Sequence, residues 1–288
     1  MKKFIAILAI LVALCLAAAG CAAPAEEAAA PTGEEPPVEE AAPAEEAAEQ
    51  VELIVFAAAS LQETLTQIGE LYQAVAPNVT LIFSFDSSGT LKTQIQEGAD
   101  CDLFISAAQK QMNQLDAAAD PEVNTEGLDF VEQGTRVDLL ENKVALVVPE
   151  GNPANINSFA DIANCESIAL GNDDVPVGQY SIEILTNLGL LEGLESGSKI
   201  TYGSNVKEVT TQVSEGAVDC GIVYATDAFS AGLTIVDQAQ EDMCSQVIYP
   251  AAVLNISQHL EEAKAFLAYL QGEEATAVFE SVDFAPVG

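Results

Sequence analysis

Five short loops of this sequence carry groups that could bind a small anion. Each loop follows a predicted strand, and the first four open a predicted helix, which is where ligands usually lie in open α/β sheets. Serine and tyrosine hydroxyls, together with the free N–H groups of helix N-termini, are donors suited to an oxyanion. Taken singly, the loops also fit ordinary helix capping, and a tyrosine there fits a core position. The loops are 57–60, 86–90, 175–180, 204–208 and the segment that begins at Tyr224.

The serines of the first two loops, Ser60 and Ser88, are also conceivable nucleophiles of a hydrolase. Serine chemistry needs a base within reach of the hydroxyl. The only histidine, His259, precedes a predicted C-terminal helix among Ser, Gln and Glu, and is typical of a solvated surface residue. A serine-dependent hydrolase is therefore the less favoured alternative. No CxxC pair is present, so a zinc site is not expected.

Strands alternate with helices along most of residues 51–288, which predicts parallel sheets covered by helices. The alternation restarts after Pro149, and Glu97–Cys101 and Glu215–Cys220 share a Gly-Ala turn before a strand. Two α/β lobes are the expected architecture. We predict strands over 52–56, 79–85, 102–106, 143–149, 167–170, 199–202, 221–224 and 246–254, and helices over 61–76, 90–97, 178–188, 206–215, 260–270 and 273–279.

The N-terminus has the layout of a lipoprotein signal. Lys2 and Lys3 precede an apolar run over 4–19 that is too short for a comfortable membrane span. We expect residues 1–20 to be a signal peptide and Cys21 to be the lipidated mature N-terminus. The next stretch consists almost wholly of Ala, Glu and Pro, with nine Glu and no basic residue, so residues 21–50 are predicted to be a disordered tether.

The charge of the chain excludes nucleic acid as a partner. The sequence has 45 acidic and 9 basic residues, a net charge of −36. Such a chain repels phosphate backbones and cannot steer an anion from a distance. Binding of an anion must therefore rely on local dipoles and hydrogen bonds.

A set of motifs across residues 51–288 resembles the molybdate-binding proteins of ABC transporters. The motifs occur in the same order as in that family. They are Phe56–Leu61, Ser84–Leu91, Gln94–Ala99, Asp102–Ala107, Asn142–Pro149, Val175–Tyr180, Gly221–Ala228 and Tyr249–Val253.

The resemblance implies a type II periplasmic-binding-protein-like α/β fold. Two lobes, each a mainly parallel sheet flanked by helices, would be joined by two hinge strands, 143–149 and 246–254, and would close on the ligand. Residues 51–148 with 249–288 would form lobe 1, and 149–248 would form lobe 2.

The resemblance also implies the ligand and its contacts. Hydroxyl and N–H groups of Ser60 and Ser88, backbone N–H groups of Val177 and Val206, and the Tyr224 phenol would hold molybdate or tungstate, with no cofactor and no bare metal cation. Partners would be an ABC permease and its ATPase, and the protein would be a monomer held by its lipid at the outer face of the cytoplasmic membrane. Two alternatives stay open: a receptor for sulfate, phosphate or another small oxyanion, and a tethered adhesin or scaffold.

Four cysteines remain in the folded region, and the sequence does not fix their pairing. A disulfide between Cys165 and Cys220 is one prediction, because both precede or begin neighbouring strands of the second lobe.

Overall fold

Two separate β-sheets covered by helices form residues 49–287, the part of the chain that the computed structural model describes. The predicted signal peptide, the lipidation site Cys21 and nearly all of the predicted tether lie outside the described residues. Within residues 49–287, no helix is both long enough and apolar enough to span a bilayer.

Eleven strands are formed between residues 49 and 287. In chain order they are β1 (Val51–Ala58), β2 (Val79–Asp86), β3 (Leu103–Ile105), β4 (Val137–Asn142), β5 (Val144–Val148), β6 (Ile168–Gly171), β7 (Ile200–Gly203), β8 (Cys220–Tyr224), β9 (Thr234–Gln238), β10 (Val247–Val253) and β11 (Ala285–Pro286). The first sheet has the order β11-β4-β10-β3-β1-β2, and the second has the order β7-β6-β8-β5-β9.

Nine α-helices cover these sheets in the described part of the chain. They are α1 (Gln62–Val75), α2 (Ser88–Gln96), α3 (Gln109–Leu115), α4 (Pro176–Asn187), α5 (Leu191–Ser196), α6 (Val206–Ser214), α7 (Ala225–Ala231), α8 (Leu260–Leu270) and α9 (Glu273–Glu280). Two short 3₁₀ helices, Ala59–Leu61 and Phe159–Asn164, complete the elements.

Both sheets are mixed, with a parallel group of three strands in each. In the first sheet β1 pairs in parallel with β2 and β3, whereas β10 is antiparallel to both β3 and β4. In the second sheet β6 pairs in parallel with β7 and β8, and β5 is antiparallel to β8 and β9. The α/β fold with two lobes is confirmed, but the sheets are mixed and not mainly parallel as predicted, because the strands that flank the crossings between the lobes (β4, β5, β9 and β10) pair antiparallel with their neighbours.

The chain passes between the sheets at two places. Only Lys143 separates β4 in the first sheet from β5 in the second, and residues 239–246 connect β9 back to β10. The strand Val144–Val148 therefore lies in the second sheet, although the sequence-based division placed residues up to 148 in lobe 1.

The spacing of apolar residues along the chain explains which faces of the strands and helices are buried. All five residues of β5 are buried, as expected for a strand covered on both faces. In and just before α1, Leu61, Leu65, Ile68 and Tyr72 recur at intervals of three and four and are buried, which gives the helix one apolar face. The Tyr72 ring lies 4.9 Å from the ring of Phe266 in α8, centroid to centroid, so this face is packed within lobe 1.

The predicted disulfide is absent from the structure. Cys165 and Cys220 are both buried free thiols. They lie close enough for the Cys220 thiol to donate a hydrogen bond to Cys165, which lowers the pKa of Cys165 and raises that of Cys220. The neighbouring strands on which the prediction rested do pair, but the disulfide prediction is wrong because both thiols are free.

Candidate functional site

A small cavity lies between the lobes, and four of the five predicted ligand residues line it. Ser60 and Ser88 come from the first lobe, and Val206 and Tyr224 come from the second. The rest of the wall is formed by Ala58, Ala59, Asp86, Ser87, Ala107, Val175 and Pro176. The structure thus brings these residues together although more than 160 positions separate Ser60 from Tyr224.

Ser60 is not a helix cap in the structure, contrary to the local sequence pattern. The residue before the 3₁₀ turn is Ala58, and neither this turn nor α1 has a side-chain cap. The Ser60 Oγ instead lies 2.9 Å from the hydroxyl of Tyr249 in β10, and Ser60 is buried. Its hydroxyl is therefore available to the cavity and not committed to the helix.

Ser88 is also released from capping, because its neighbour Ser87 takes that role. The Ser87 Oγ accepts the N–H of Thr90 at 3.1 Å, so Ser88 becomes the first residue of α2. The Ser88 Oγ accepts the N–H of Ala107 at 2.9 Å. A hydroxyl has one proton, so accepting from Ala107 leaves that proton free for a ligand.

Val206 begins α6 behind a capped turn. The Asn205 Oδ1 accepts the Glu208 N–H at 3.1 Å, and the Glu208 carboxylate accepts the Ser204 N–H at 2.7 Å, which confirms the predicted capping pattern. A residue in the first turn has no intrahelical acceptor for its N–H. The Val206 N–H is therefore free at the positive end of a helix, on the wall of the cavity.

Val177 is the predicted ligand residue that does not line the cavity. It lies fully buried in the first turn of α4, and Val175 and Pro176 form the cavity wall at that point. Its N–H has no intrahelical acceptor. Gly178 allows this turn to lie against the end of β6, since a Cβ there would be 2.3 Å from the Gly171 oxygen.

The Tyr224 phenol already has a partner across the cleft. The side chain is fully buried at the end of β8, and its hydroxyl donates to the carbonyl oxygen of Ala107 at 3.3 Å. Burial raises its pKa well above the usual value, so the phenol stays protonated. A bond this long is near the limit for an O–H donor, so a charged acceptor would compete well for the proton.

Two further contacts join the lobes around the cavity. The Gly89 N–H in α2 donates to the Asp174 carbonyl oxygen at 3.0 Å. The Lys207 Nζ in α6 lies 2.7 Å from the Glu63 carboxylate in α1. With the Tyr224–Ala107 bond, these contacts show the lobes in a closed arrangement.

Lys207 also compensates a buried charge within its own lobe. Its Nζ lies 2.9 Å from Asp227 Oδ1, and neither Asp227 oxygen makes a well-oriented hydrogen bond to a described group. Burial raises the pKa of Asp227 to about 6, although Lys207 opposes this. Burial alone would lower the pKa of Lys207, but the carboxylates of Asp227 and Glu63 outweigh it and raise that pKa. We refer to Lys207, Glu63 and Asp227 as the Lys207 bridge.

The raised pKa of Asp227 predicts a pH-dependent stability. A carboxyl whose pKa is higher in the folded state stabilises the fold below its unfolded pKa of 3.8, and this stability is lost as the pH rises through about 6. Relative to an Asp227→Asn variant, the wild type should lose up to about 3 kcal/mol of unfolding free energy between about pH 4 and pH 7. Urea denaturation of both proteins across this range checks it, and a constant difference between them would contradict it.

The cavity wall contains no Lys or Arg among its described residues. Lys207 is adjacent to Val206 in the chain, but the Lys207 bridge engages its ammonium group. One carboxylate, Asp86, does reach the wall, and its Oδ1 accepts the Ser87 N–H at 2.7 Å. The available donors are therefore neutral hydroxyl and backbone N–H groups.

Sequence reasoning missed Asp86, Ala107 and the Lys207 bridge. Asp86 ends β2 and Ala107 lies two residues after the end of β3, so their position near a strand end was a usable signal. The Lys207 bridge joins residues from three helices, and no local pattern reveals it.

The geometry gives neither candidate serine a catalytic base. The described partner of the Ser60 hydroxyl is Tyr249, and that of the Ser88 hydroxyl is Ala107. His259 lies at the start of α8, where its N–H donates to the Ser257 hydroxyl at 3.0 Å. A general base must be within hydrogen-bond reach of the nucleophile or linked to it through one water.

Comparison with known proteins gives consistent matches over the folded region. The sequence profile of the family described as bacterial extracellular solute-binding protein matches residues 53–284. The chain is 37% identical over 238 residues to a Bacillus subtilis (strain 168) protein provisionally described as an ABC transporter substrate-binding lipoprotein, covering 82% of this chain and 87% of the relative. It is 32% identical over 244 residues to the molybdate-binding protein of Escherichia coli (strain K12), covering 82% of this chain and 90% of that protein.

A solved structure has the same fold. The periplasmic molybdate-binding protein of Azotobacter vinelandii matches with a TM-score of 0.70, covering 82% of this chain and 100% of that chain. At 22% sequence identity, the match shows a shared architecture.

Proposed function

The chain belongs to the family of bacterial extracellular solute-binding proteins, and from this premise we propose that it captures molybdate or tungstate between its two lobes. Membership in a family of binding proteins also confirms that the chain is a binding component and not an enzyme. The observation that carries the ligand proposal is the cavity itself, which has hydroxyl and helix N-terminal donors and no cationic side chain among its described residues.

Donors from both lobes suit a compact dianion. The N-termini of α2, α4 and α6 come close to one small cavity, and each presents N–H groups without intrahelical acceptors. The Ser60 and Ser88 hydroxyls and the Tyr224 phenol add protons. The proposed ligand set is therefore Ser60, Ser88, Val177, Val206 and Tyr224, with Val177 contributing through its backbone from the turn next to the wall. Relatives named for molybdate binding support the choice of anion.

A cavity of donors favours a fully deprotonated anion. A proton on a guest oxyanion needs an acceptor, and hydroxyls and N–H groups that face the guest as donors do not supply one. Molybdate, tungstate and sulfate meet this requirement near neutral pH, whereas phosphate keeps a proton.

A receptor for another oxyanion is the second candidate, and Asp86 is the observation that favours it. Its carboxylate is an acceptor on the cavity wall and would suit a protonated guest such as phosphate. The Asp86 Oδ1 is already engaged by the Ser87 N–H, which weakens this alternative.

Isothermal titration calorimetry with molybdate, tungstate, sulfate and phosphate tests the proposal. We expect molybdate and tungstate to bind more tightly than the other two by a factor of about 100 or more, since one or two charge-assisted hydrogen bonds separate a good fit from a poor one. Sulfate or phosphate binding as tightly as molybdate would contradict it.

Two substitutions test the ligand set. Ser88→Ala and Tyr224→Phe each remove one proton donor and are expected to weaken molybdate binding by about 1–3 kcal/mol. Ser198→Ala, at an exposed position outside the cavity wall, is the control and should leave the affinity unchanged. Wild-type affinity in both site variants would place the anion elsewhere.

We propose that residues 1–20 are removed, that Cys21 carries a lipid, and that residues 21–50 tether a monomer to the outer face of the cytoplasmic membrane. The captured anion would pass to an ABC permease and its ATPase. Sheet membership supports placing the lobe boundaries near Lys143 and within 239–246, a few residues earlier than 148 and 249.

A further inference from the structure

A chain of buried polar side chains leads from Ser60 to the crossing between the lobes. The Tyr249 hydroxyl lies 2.9 Å from Ser60 Oγ and 3.2 Å from Asn142 Nδ2. The same Asn142 nitrogen lies 2.9 Å from Thr226 Oγ1 in α7. All four side chains are buried. We call Ser60, Tyr249, Asn142 and Thr226 the Ser60 network.

The orientation of the Asn142 amide is fixed by the backbone. The Asn142 Oδ1 accepts the N–H of Lys143 at 2.8 Å, so the amide nitrogen must face Tyr249 and Thr226. An amide nitrogen only donates. The oxygens of Tyr249 and Thr226 are therefore acceptors in these two bonds.

This arrangement decides which way the Tyr249 proton points. The phenol has one proton, and burial raises its pKa well above the usual value, so the proton stays on the oxygen. Asn142 donates to the oxygen and cannot receive that proton. Two hydroxyls neighbour it, those of Ser60 and Tyr224, and the Ser60 Oγ is the one that forms a well-oriented hydrogen bond, at 2.9 Å, so the geometry favours donation from Tyr249 to Ser60. The Ser60 oxygen then acts as an acceptor toward the protein, and its own proton is left for the cavity.

The Ser88 hydroxyl is also held as a donor toward the cavity, but by a different contact. Its Oγ accepts a backbone N–H, from Ala107, and its proton is likewise free. Each of the two cavity serines thus receives one hydrogen bond from a buried protein donor. The opposite polarity would turn serine lone pairs toward an anion, which is repulsive.

We propose that Asn142 and Tyr249 are positioning residues that hold the Ser60 hydroxyl as a donor toward the guest anion. The inference rests on the proposed function, because it assigns the polarity of a site proposed to bind an oxyanion. It extends that function to selectivity, since a hydroxyl fixed as a donor disfavours a guest that carries a proton at this point.

The substitution Asn142→Asp should reverse the direction of the hydrogen bonds in the Ser60 network, with almost no change in the shape of the side chain. A carboxylate at position 142 accepts the Tyr249 proton, so Tyr249 would accept from Ser60 and the Ser60 proton would turn away from the cavity. We expect molybdate affinity, measured by calorimetry on the full mature chain, to fall by about 10- to 100-fold, the range for losing a hydrogen bond to a charged acceptor.

The substitution Tyr249→Phe distinguishes a change in the direction of the Ser60 hydrogen bond from simple repulsion by the new carboxylate at position 142. Alone, it removes the donor to Ser60 without reversing it, and we expect a loss of about 3- to 10-fold. Added to Asn142→Asp, it disconnects position 142 from Ser60 and should restore affinity to the level of Tyr249→Phe alone. A new charge that merely repels molybdate would weaken binding equally in both backgrounds.

Ser60→Ala supplies the second test, which does not depend on the folding of Asn142→Asp. If Tyr249 acts through Ser60, Tyr249→Phe should have no further effect on molybdate affinity once Ser60 is replaced. Unfolding temperatures of the ligand-free proteins are measured in parallel, because a merely structural role would lower stability and affinity in both backgrounds.

Additive effects of Tyr249→Phe and Ser60→Ala, or wild-type affinity in Asn142→Asp, would overturn the inference while the proposed function stands. A wild-type protein that binds no molybdate would overturn both.

Discussion

Replacing Gly89 with alanine is expected to weaken molybdate binding by about 10- to 100-fold, because the lobes could no longer close fully. A Cβ at position 89 would lie 2.5 Å from the backbone oxygen of Asp174 and 2.8 Å from its Cα. Both are backbone atoms of the opposite lobe, so no side chain can move aside. The same close approach allows the Gly89 N–H to donate to Asp174 at 3.0 Å.

Calorimetry with molybdate and small-angle X-ray scattering with and without the anion check this result. The variant should show a smaller decrease in radius of gyration on adding molybdate than the wild type. Gly193→Ala in α5 is the matched control, since a Cβ there meets no atom within 4 Å. Unchanged affinity in Gly89→Ala would mean that the Gly89–Asp174 contact is not part of the ligand-bound state.

Replacing Lys207 with methionine is expected to lower the unfolding free energy by about 3–5 kcal/mol near pH 8, the cost of leaving a buried charge without its partner. Asp227 is fully buried, and the Lys207 ammonium is its ion-pair partner at 2.9 Å. The loss should shrink below about pH 6, where Asp227 takes up a proton. Urea denaturation at both pH values measures the effect.

Two further variants test the two ion pairs of the Lys207 bridge separately. Glu63→Gln breaks only the contact between lobes, and because Glu63 is half exposed the change in stability should stay below about 1 kcal/mol, although dissociation of molybdate should become faster. Lys207→Met combined with Asp227→Asn removes both buried charges and should recover most of the lost stability. A double variant as unstable as Lys207→Met alone would refute the role of the unpaired carboxylate.

The strands that sequence reasoning found include all those that are fully buried. Strands such as β5 and β8 consist of continuous apolar residues and are recognisable without any partner. The strands β4 and β9 were missed because they are partly exposed and carry polar residues such as Asp138, Glu141 and Asp237. Their place in the sheets depends on pairing with β10 and β5, which local spacing cannot show.

The candidate ligand residues were predictable from the family resemblance, whereas the tertiary contacts that orient them were not. Ser60, Ser88, Val206 and Tyr224 were anticipated from the resemblance and do line one cavity. Tyr249 was anticipated as part of an apolar strand and of a family motif but without a role at the site, because a buried tyrosine in such a strand usually indicates core. The hydroxyl it brings to Ser60, 189 residues away, becomes visible only when β1 and β10 are placed in one sheet.

The position of Asn142 has a consequence for how the protein meets its ligand. Asn142 ends β4, and Lys143 alone separates it from β5 in the other sheet. When two bodies turn about an axis, atoms beside that axis move least, so the bonds of Asn142 to Thr226 and Tyr249 should survive opening while contacts far from the crossing separate. The Ser60 hydroxyl would then be preorganised in the open protein, and the arriving anion would not bear the cost of turning it.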